Sequence, residues 1–184
     1  MVSPDAAAKA AKVRLLTVDV DGVLTDGSLY YGPNGDFAKR FSVRDGLGIG
    51  LAKAGGVSIA LVTGKESDAV ARRAETLGVR RVLQGVRDKG AALAQLAEEL
   101  GLGPDEIGHI GDDLNDLPAF DLVGFRACPS DAADRVKELC HFCASVPGGR
   151  GAVRETIEFV LSAKGALGEA EARFVSDLKD ASES

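Results

Sequence analysis

Two acidic clusters carry the first chemical signal. Asp19 and Asp21, in the string DVDG, stand two residues apart where a short apolar run ends. On an extended segment that spacing turns both carboxylates to one side. Buried together they would repel unless a cation or a shared proton offset the charge. Asp112, Asp113 and Asp116, in GDDLND, follow another apolar run. Asp112 and Asp116 share a face if a helix begins there, and Asp112 also stands where a helix cap would. Either cluster alone also fits a solvated acidic turn or a capped helix start. Two of them at two parallel strand ends are what converging hard oxygen ligands for Mg2+ require.

Thr63, in VTG, and Lys89, in RDKG, add a second kind of group. A hydroxyl at a strand end, followed by glycine, can hydrogen-bond a phosphoryl oxygen. An ammonium at a helix start opposes the helix dipole and makes sense beside an anion. Taken singly, the two also read as a turn threonine and a solvated lysine. Cys140, His141 and Cys143, even with Cys128 and His109, supply no convincing tetrahedral zinc set. We read the cysteines as buried thiols in a late strand and His109 as a core or edge histidine. GLGIG at 46–50 lacks the dinucleotide-binding spacing, and no GxxxxGK[ST] occurs.

The elements that must position these residues follow from pattern. RLLTVDVDG, VSIALVTG, EIGHIGDD and, more weakly, DLVGFRACPS are short apolar runs that end in small or polar residues. Between them, 66–77, 88–100, 113–120 and 151–162 have helical composition. Such alternation predicts an α/β fold, a Rossmann-like doubly wound parallel sheet with helices on both faces. Ligands of such sheets sit off the carboxyl ends of the strands, where DVDG, TG and GDD fall. Two β-prone runs around Gly32-Pro33-Asn34-Gly35 predict a hairpin. Residues 1–12 read as a frayed leader or short helix, 13–164 as the domain, and 165–184 as a polar tail with a marginal amphipathic turn or two.

The chain has 184 residues, 45% hydrophobic and 27% charged, enough for one domain with a real core. Its 22 Lys and Arg against 28 Asp and Glu leave a net charge of −6. That argues against a general nucleic-acid surface but not against a phosphorylated small molecule. The absence of Trp and 5% aromatics argue against base-stacking platforms. Three cysteines fit a reducing compartment better than a disulfide framework. With no membrane-length apolar run and no continuous apolar segment at the N-terminus, the expected place is the cytoplasm.

Joined in order, DVDGVLT, VTG, the lysine and GDDLND resemble the four motifs of the haloacid dehalogenase superfamily of phosphatases. DGVLTDG, FSVRDGLGI, ARRAETLGV, LQGVRDK, GDDLNDLP and GGRGAVRE narrow the resemblance to the 3-deoxy-D-manno-octulosonate 8-phosphate phosphatase family, over residues 14–163. The resemblance implies a small β-hairpin, here about 28–41, in place of a cap domain, and a homotetramer in which a neighbour's hairpin helps close each site. It implies Asp19 as nucleophile, Asp21 as general acid/base, and Mg2+ held by Asp19, the Asp21 carbonyl and Asp112. Asp113 and Asp116 would support the metal, and Thr63 and Lys89 would bind phosphate. Asp21, a substrate-binding loop of Ser42, Val43, Arg44, Asp45 and Gly46, and Lys65, Arg73 and Lys89 would meet the substrate, a phosphorylated sugar acid of lipopolysaccharide biosynthesis. No nucleic acid or membrane partner is implied.

Two positions depart from the family's enterobacterial pattern, where arginines stand in place of Gly50 and Lys65. Losing a guanidinium fork weakens bidentate carboxylate recognition. A phosphatase of a nine-carbon keto sugar acid 9-phosphate is therefore the alternative within the enzymes. From another class, a receiver-like phosphoacceptor domain shares the acidic pocket, Thr and Lys. It has no use for Asp21, the second carboxylate that serves hydrolysis. Arg150 and Arg154, in GGRGAVRE, belong either to a glycine turn with a solvated arginine or to a loop that reaches the substrate carboxylate.

Overall fold

The computed structural model describes residues 2–33 and 35–180. A short helix α1 (Ala6–Ala10) leads into strand β1 (Leu15–Val18). A wound turn, Val20–Leu24, then feeds a hairpin of β2 (Tyr30–Gly32) and β3 (Gly35–Ala38). There follow α2 (Val43–Ala54), β4 (Ser58–Val62), α3 (Asp68–Leu77), β5 (Arg81–Leu83), α4 (Lys89–Leu100), β6 (Ile107–Ile110), α5 (Leu117–Phe120) and β7 (Phe125–Cys128). The chain continues through α6 (Asp134–Leu139), β8 (Phe142–Cys143), α7 (Ala152–Ala163) and α8 (Leu167–Asp180). Among the described residues no helix is long and apolar enough to cross a membrane.

Six strands form one parallel sheet in the order β5-β4-β1-β6-β7-β8. Every residue of β1 is buried, as a strand covered by helices on both faces must be. Leu16, Val18, Ile59 and Leu61 share a core with α2 and α7, whereas Leu15, Ala60, Val62 and Ile107 pack with Leu93 and Leu96 of α4. The doubly wound sheet is thus as expected. Because β1 pairs with β4 on one side and β6 on the other, Val18 aligns with Leu61 and with Ile110. The residues after those three strands therefore meet at one end of the sheet.

The expected hairpin is present, with Gly32 paired to Gly35 and a bridge between Thr25 and Phe41 at its base. The tip residue Asn34 lies outside the described residues. The short-helix reading of the leader matches α1, whose Ala6 and Ala10 are buried. Strands β5 and β8, three and two residues long, are too short to leave a periodic signal.

Two segments differ from the sequence reading. The supposed loop 42–46 is the start of α2: Ser42 caps it, its Oγ accepting the Arg44 N–H at 3.1 Å. Gly46, Gly48 and Gly50 of this helix are each a place where a neighbour crowds the backbone. A Cβ there would lie 2.5 Å from Arg73, 2.7 Å from Arg154 and 2.5 Å from Phe174, respectively. The supposed polar tail is largely α8, packed on α2. Leu167, Ala170 and Phe174 recur at helical spacing, and Ala170 joins the core of α2 and α7. Charged neighbours hide that stripe when only mean polarity is read.

The Phe174 ring thus occupies the space that any side chain at Gly50 would need. Gly50→Ala should cost about 1–3 kcal/mol by overpacking, measured by urea unfolding. The same substitution in a Phe174→Ala background should cost less than half as much. A neutral Gly50→Ala would contradict the packing argument.

Candidate active site

Asp19 leaves β1 with its N–H donating to Ile110 O at 3.0 Å, which ties the strand end to β6. Its side chain is nearly closed off, at 3% exposure for the residue. The chain then winds: Asp21 and Gly22 leave the helical path, Gly22 at φ 95°, and the Thr25 N–H returns to Val20 O at 2.9 Å. Gly22 is required here twice over. Its backbone is in the glycine region, and a Cβ would run into the Asp112 carboxylate.

The two acidic clusters do converge. Asp19, Asp112 and Asp116 each offer a carboxylate oxygen within 4.8 Å of the others. Lys89, the first residue of α4 and 2% exposed, lies between them, with Nζ 2.8 Å from Asp19 Oδ1 and 2.6 Å from Asp116 Oδ1. Asp88 caps that helix, its Oδ1 accepting from the Ala91 N–H. Thr63 is buried at the end of β4, its N–H donating to Leu83 O at 2.9 Å.

Asp116 is fully engaged. Oδ1 receives Lys89 and the Nε2 of His109, at 2.9 Å, while Oδ2 accepts the N–H groups of Asp112 (2.9 Å) and Asp113 (3.3 Å). Asp113 does not join the cluster. It is exposed, and its carboxylate caps the turn Leu114–Asp116 by accepting the Leu114 N–H at 2.7 Å. Asp113 thus caps the turn, and Asp112 is the member of the pair that joins the cluster.

Charge crowding dominates the electrostatics. Burial and the nearby Asp19 and Asp116 charges push the Asp112 carboxyl up to about 8, with Lys89 opposing. Burial and Asp116 also raise Asp19, against Lys89 and the Val20 N–H. For Asp116, burial works upward but the His109 and Lys89 partners outweigh it and hold the carboxyl below the usual range. Burial opposes the Lys89 charge, yet Asp19 and Asp116 overcome it and raise its pKa. Hard carboxylate oxygens on Asp19 and Asp112, beside the carbonyl-bearing Asp21 turn, are a donor set suited to a small divalent cation.

Other expected residues are placed differently. Asp45 is completely buried, and its carboxylate accepts the N–H groups of Gly151 and Arg154, both at 3.1 Å. It caps the start of α7 from α2. Gly46 is covered by Arg73, which donates to Ser42 O at 3.0 Å and lies over the Phe41 ring. Val43 and Lys65 are exposed. Arg44, Arg150 and Arg154 line a cavity of about 470 Å3, with Glu155 and Glu158 on its wall. The GGRG loop reaches the nucleophile's turn, since the Gly149 N–H donates to Val23 O at 2.9 Å. Cys128 and Cys143 face each other at 3.4 Å without a disulfide, and burial pushes Cys143 up to about 11. Among the described residues, the acidic cluster is the one group with metal-binding geometry.

One residue, and the partner of another, escaped sequence reasoning. Lys39, after β3, buries its side chain and sets Nζ 2.5 Å from Asp21 Oδ1. One lysine in a hairpin gives no periodic clue. His109 was visible as a polar residue in an apolar strand, but its partner Asp116 was not.

A family model of haloacid dehalogenase-like hydrolases matches residues 81–148. The 3-deoxy-D-manno-octulosonate 8-phosphate phosphatase of Escherichia coli K12 is 40% identical over 174 residues, covering 95% of this chain and 93% of that protein. Among solved structures, the phosphatase of that name from Moraxella catarrhalis, in complex with magnesium ion, phosphate ion and KDO, superposes with a TM-score of 0.88 at 36% identity. The match covers 92% of this chain and 98% of that one. The cobalt-bound deoxy-D-mannose-octulosonate 8-phosphate phosphatase from Haemophilus influenzae gives 0.84 at 37% identity, covering 86% and 93%.

The raised Asp112 carboxyl gives a signed expectation. Because its folded pKa of about 8 lies above the ordinary 3.8, the cation-free fold favours the protonated form. Its contribution to stability is full below 3.8 and is lost as pH rises through about 8. A cation needs the ionised form, so binding releases a proton. In EDTA the melting temperature should fall from pH 6 to pH 9, and Mg2+ should raise it more at pH 9 than at pH 6. A Mg2+ shift independent of pH would count against this coupling.

Proposed function

Because the chain belongs to the 3-deoxy-D-manno-octulosonate 8-phosphate phosphatase family of haloacid dehalogenase-like hydrolases, we propose that it hydrolyses that 8-phosphate ester to the free sugar acid and phosphate. The observation that carries the reading is the buried Asp19 carboxylate held by Lys89 at the carboxyl end of β1, with Asp112 and Asp116 around it. Asp19, Asp112 and the Asp21 carbonyl would hold Mg2+. When bound, the cation supplies charge neutralisation for the incoming phosphoryl group.

Asp19 attacks phosphorus in line, and the bond to the sugar oxygen breaks to give an aspartyl-phosphate. An anionic nucleophile approaching one phosphoryl charge faces about 4 kcal/mol at 4 Å and an effective dielectric near 20. Lys89, already charged beside Asp19, lowers that repulsion, and Thr63 binds a phosphoryl oxygen. Asp21 donates a proton to the leaving oxygen and then takes one from the water that cleaves the intermediate. Lys39 holds Asp21 through Oδ1.

The carboxylate end of the substrate needs cations that Gly50 does not provide. We assign this to Arg44 and Arg150, which line the 470 Å3 cavity beside the start of α7. Arg154 is engaged by Glu158 at 2.7 Å. The exposed Leu29, Tyr30 and Tyr31 of the hairpin support a homotetramer in which a neighbour covers them. The reading includes a cytoplasmic enzyme with no nucleic-acid or membrane partner.

Asp19→Asn should lower turnover by about four orders of magnitude with the fold intact. Phosphate release would be measured from the eight-carbon and nine-carbon esters, each with Mg2+ and with EDTA. More than a few per cent residual activity in Asp19→Asn would defeat the nucleophile assignment, and preference for the nine-carbon ester would replace the substrate.

Arg150→Ala should raise KM for the sugar acid ester about tenfold, the loss of one charged hydrogen-bonding partner. It should leave p-nitrophenyl phosphate, which lacks a carboxylate, unchanged. Equal KM values for wild type and variant on the sugar acid ester would remove Arg150 from the site.

A further inference from the structure

His109 stands in the middle of β6, fully buried, with its ring edge-on to Phe120 at 5.7 Å between centroids. A buried polar ring is costly unless its nitrogens have partners. Here both do. Nε2 lies 2.9 Å from Asp116 Oδ1, and Nδ1 lies 2.8 Å from Thr17 Oγ1, a hydroxyl that also stands 3.0 Å from Gly108 O. Thr17 and His109 are direct partners in the parallel register of β1 and β6. The result is a buried chain from Thr17 through His109, Asp116 and Lys89 to Asp19, with links of 2.8, 2.9, 2.6 and 2.8 Å.

We propose that His109 is a positioning residue for the phosphatase reaction, acting through Asp116 to fix Lys89 beside the nucleophile. The proposal rests on the reading of Lys89 as a phosphate-binding cation. A lysine ammonium is a point charge on a flexible stem and takes its position from its partners. Asp116 Oδ2 is pinned by two backbone N–H groups, and a carboxylate oxygen can only accept, so His109 Nε2–H pins Oδ1. The carboxylate plane is then fixed, and Oδ1 divides its charge between His109 and Lys89. Without the histidine N–H, Lys89 becomes the sole side-chain donor to a buried carboxylate and is drawn toward Asp116, away from Asp19 and the phosphoryl site.

The test is a double-mutant cycle of His109→Phe and Lys89→Gln, assayed with p-nitrophenyl phosphate and with the sugar acid ester, alongside melting temperatures. His109→Phe should lower kcat about 10- to 100-fold on both substrates, as a displacement of a positioned group does. It should weaken inhibition by inorganic phosphate, and His109→Gln, which keeps an N–H donor, should restore most of kcat. In the Lys89→Gln background, His109→Phe should have little further effect, because the histidine acts through the lysine. Additive losses, unchanged kcat in His109→Phe, or a loss that His109→Gln does not restore would each overturn the proposal. Full activity in Lys89→Gln alone would instead overturn the underlying reading of Lys89. Should His109→Phe not fold, Thr17→Val takes its place in the cycle, with a smaller loss expected and the same non-additivity deciding the matter.

Discussion

The structure depends on placing one ammonium among three carboxylates at a nearly dry sheet end. Lys89 lies between Asp19 and Asp116, with Asp112 close to Asp19. Removing these charges from water is expensive, and their attraction offsets it only where geometry is good and other donors complete the set. The solution is unequal. Asp116 receives four donors and stays ionised, whereas Asp112 is left crowded and has its carboxyl pushed up to about 8. Three acids against one ammonium leave an excess of negative charge at the site. A divalent cation would neutralise that excess.

The sheet delivers the residues that meet there. Asp19 and Asp112 are more than ninety positions apart, yet β1 and β6 are hydrogen-bonded neighbours with Val18 opposite Ile110. Thr63 follows β4 on the other side of β1, where Val18 is opposite Leu61. The central place of β1 therefore decides which strand end bears the nucleophile. Thr17 and His109, one residue further into the sheet on the two strands, inherit the same register. The rear support of Asp116 and the front placement of Asp19 are consequences of one pairing.

Much of this was legible in the sequence because burial and polarity change abruptly at strand ends. VDVDG, LVTG and HIGDD each pass from apolar residues to a reactive one within two or three positions, which marks both strand and site. Less legible was whatever depends on side-chain partners. The difference between Asp113, which caps a turn, and Asp116, which anchors a lysine, lies in orientation. Asp45 carries the chemistry of a ligand-binding acid but spends it on the start of α7. Helix α2 gives a weak helical signal because glycine disfavours helix by about 1 kcal/mol per residue. Its three glycines record the close approach of Arg73, Arg154 and Phe174, which no local pattern contains.

Glycine at the acidic motifs has the same origin in crowding. Gly22 follows Asp21, and Gly111 precedes Asp112. A Cβ on Gly22 would occupy the place of the Asp112 carboxylate, and one on Gly111 would meet the side chain of Asp116. These residues are small because two carboxylates pass within van der Waals distance of the backbone. Gly111 needs no left-handed conformation, so a flexibility argument would not explain it. A side chain at either place would push Asp112 or Asp116 outward and disturb the partition of charge around Lys89. The spacing of acids and glycines in the two motifs is thus one steric constraint, imposed by the need to bring the carboxylates together.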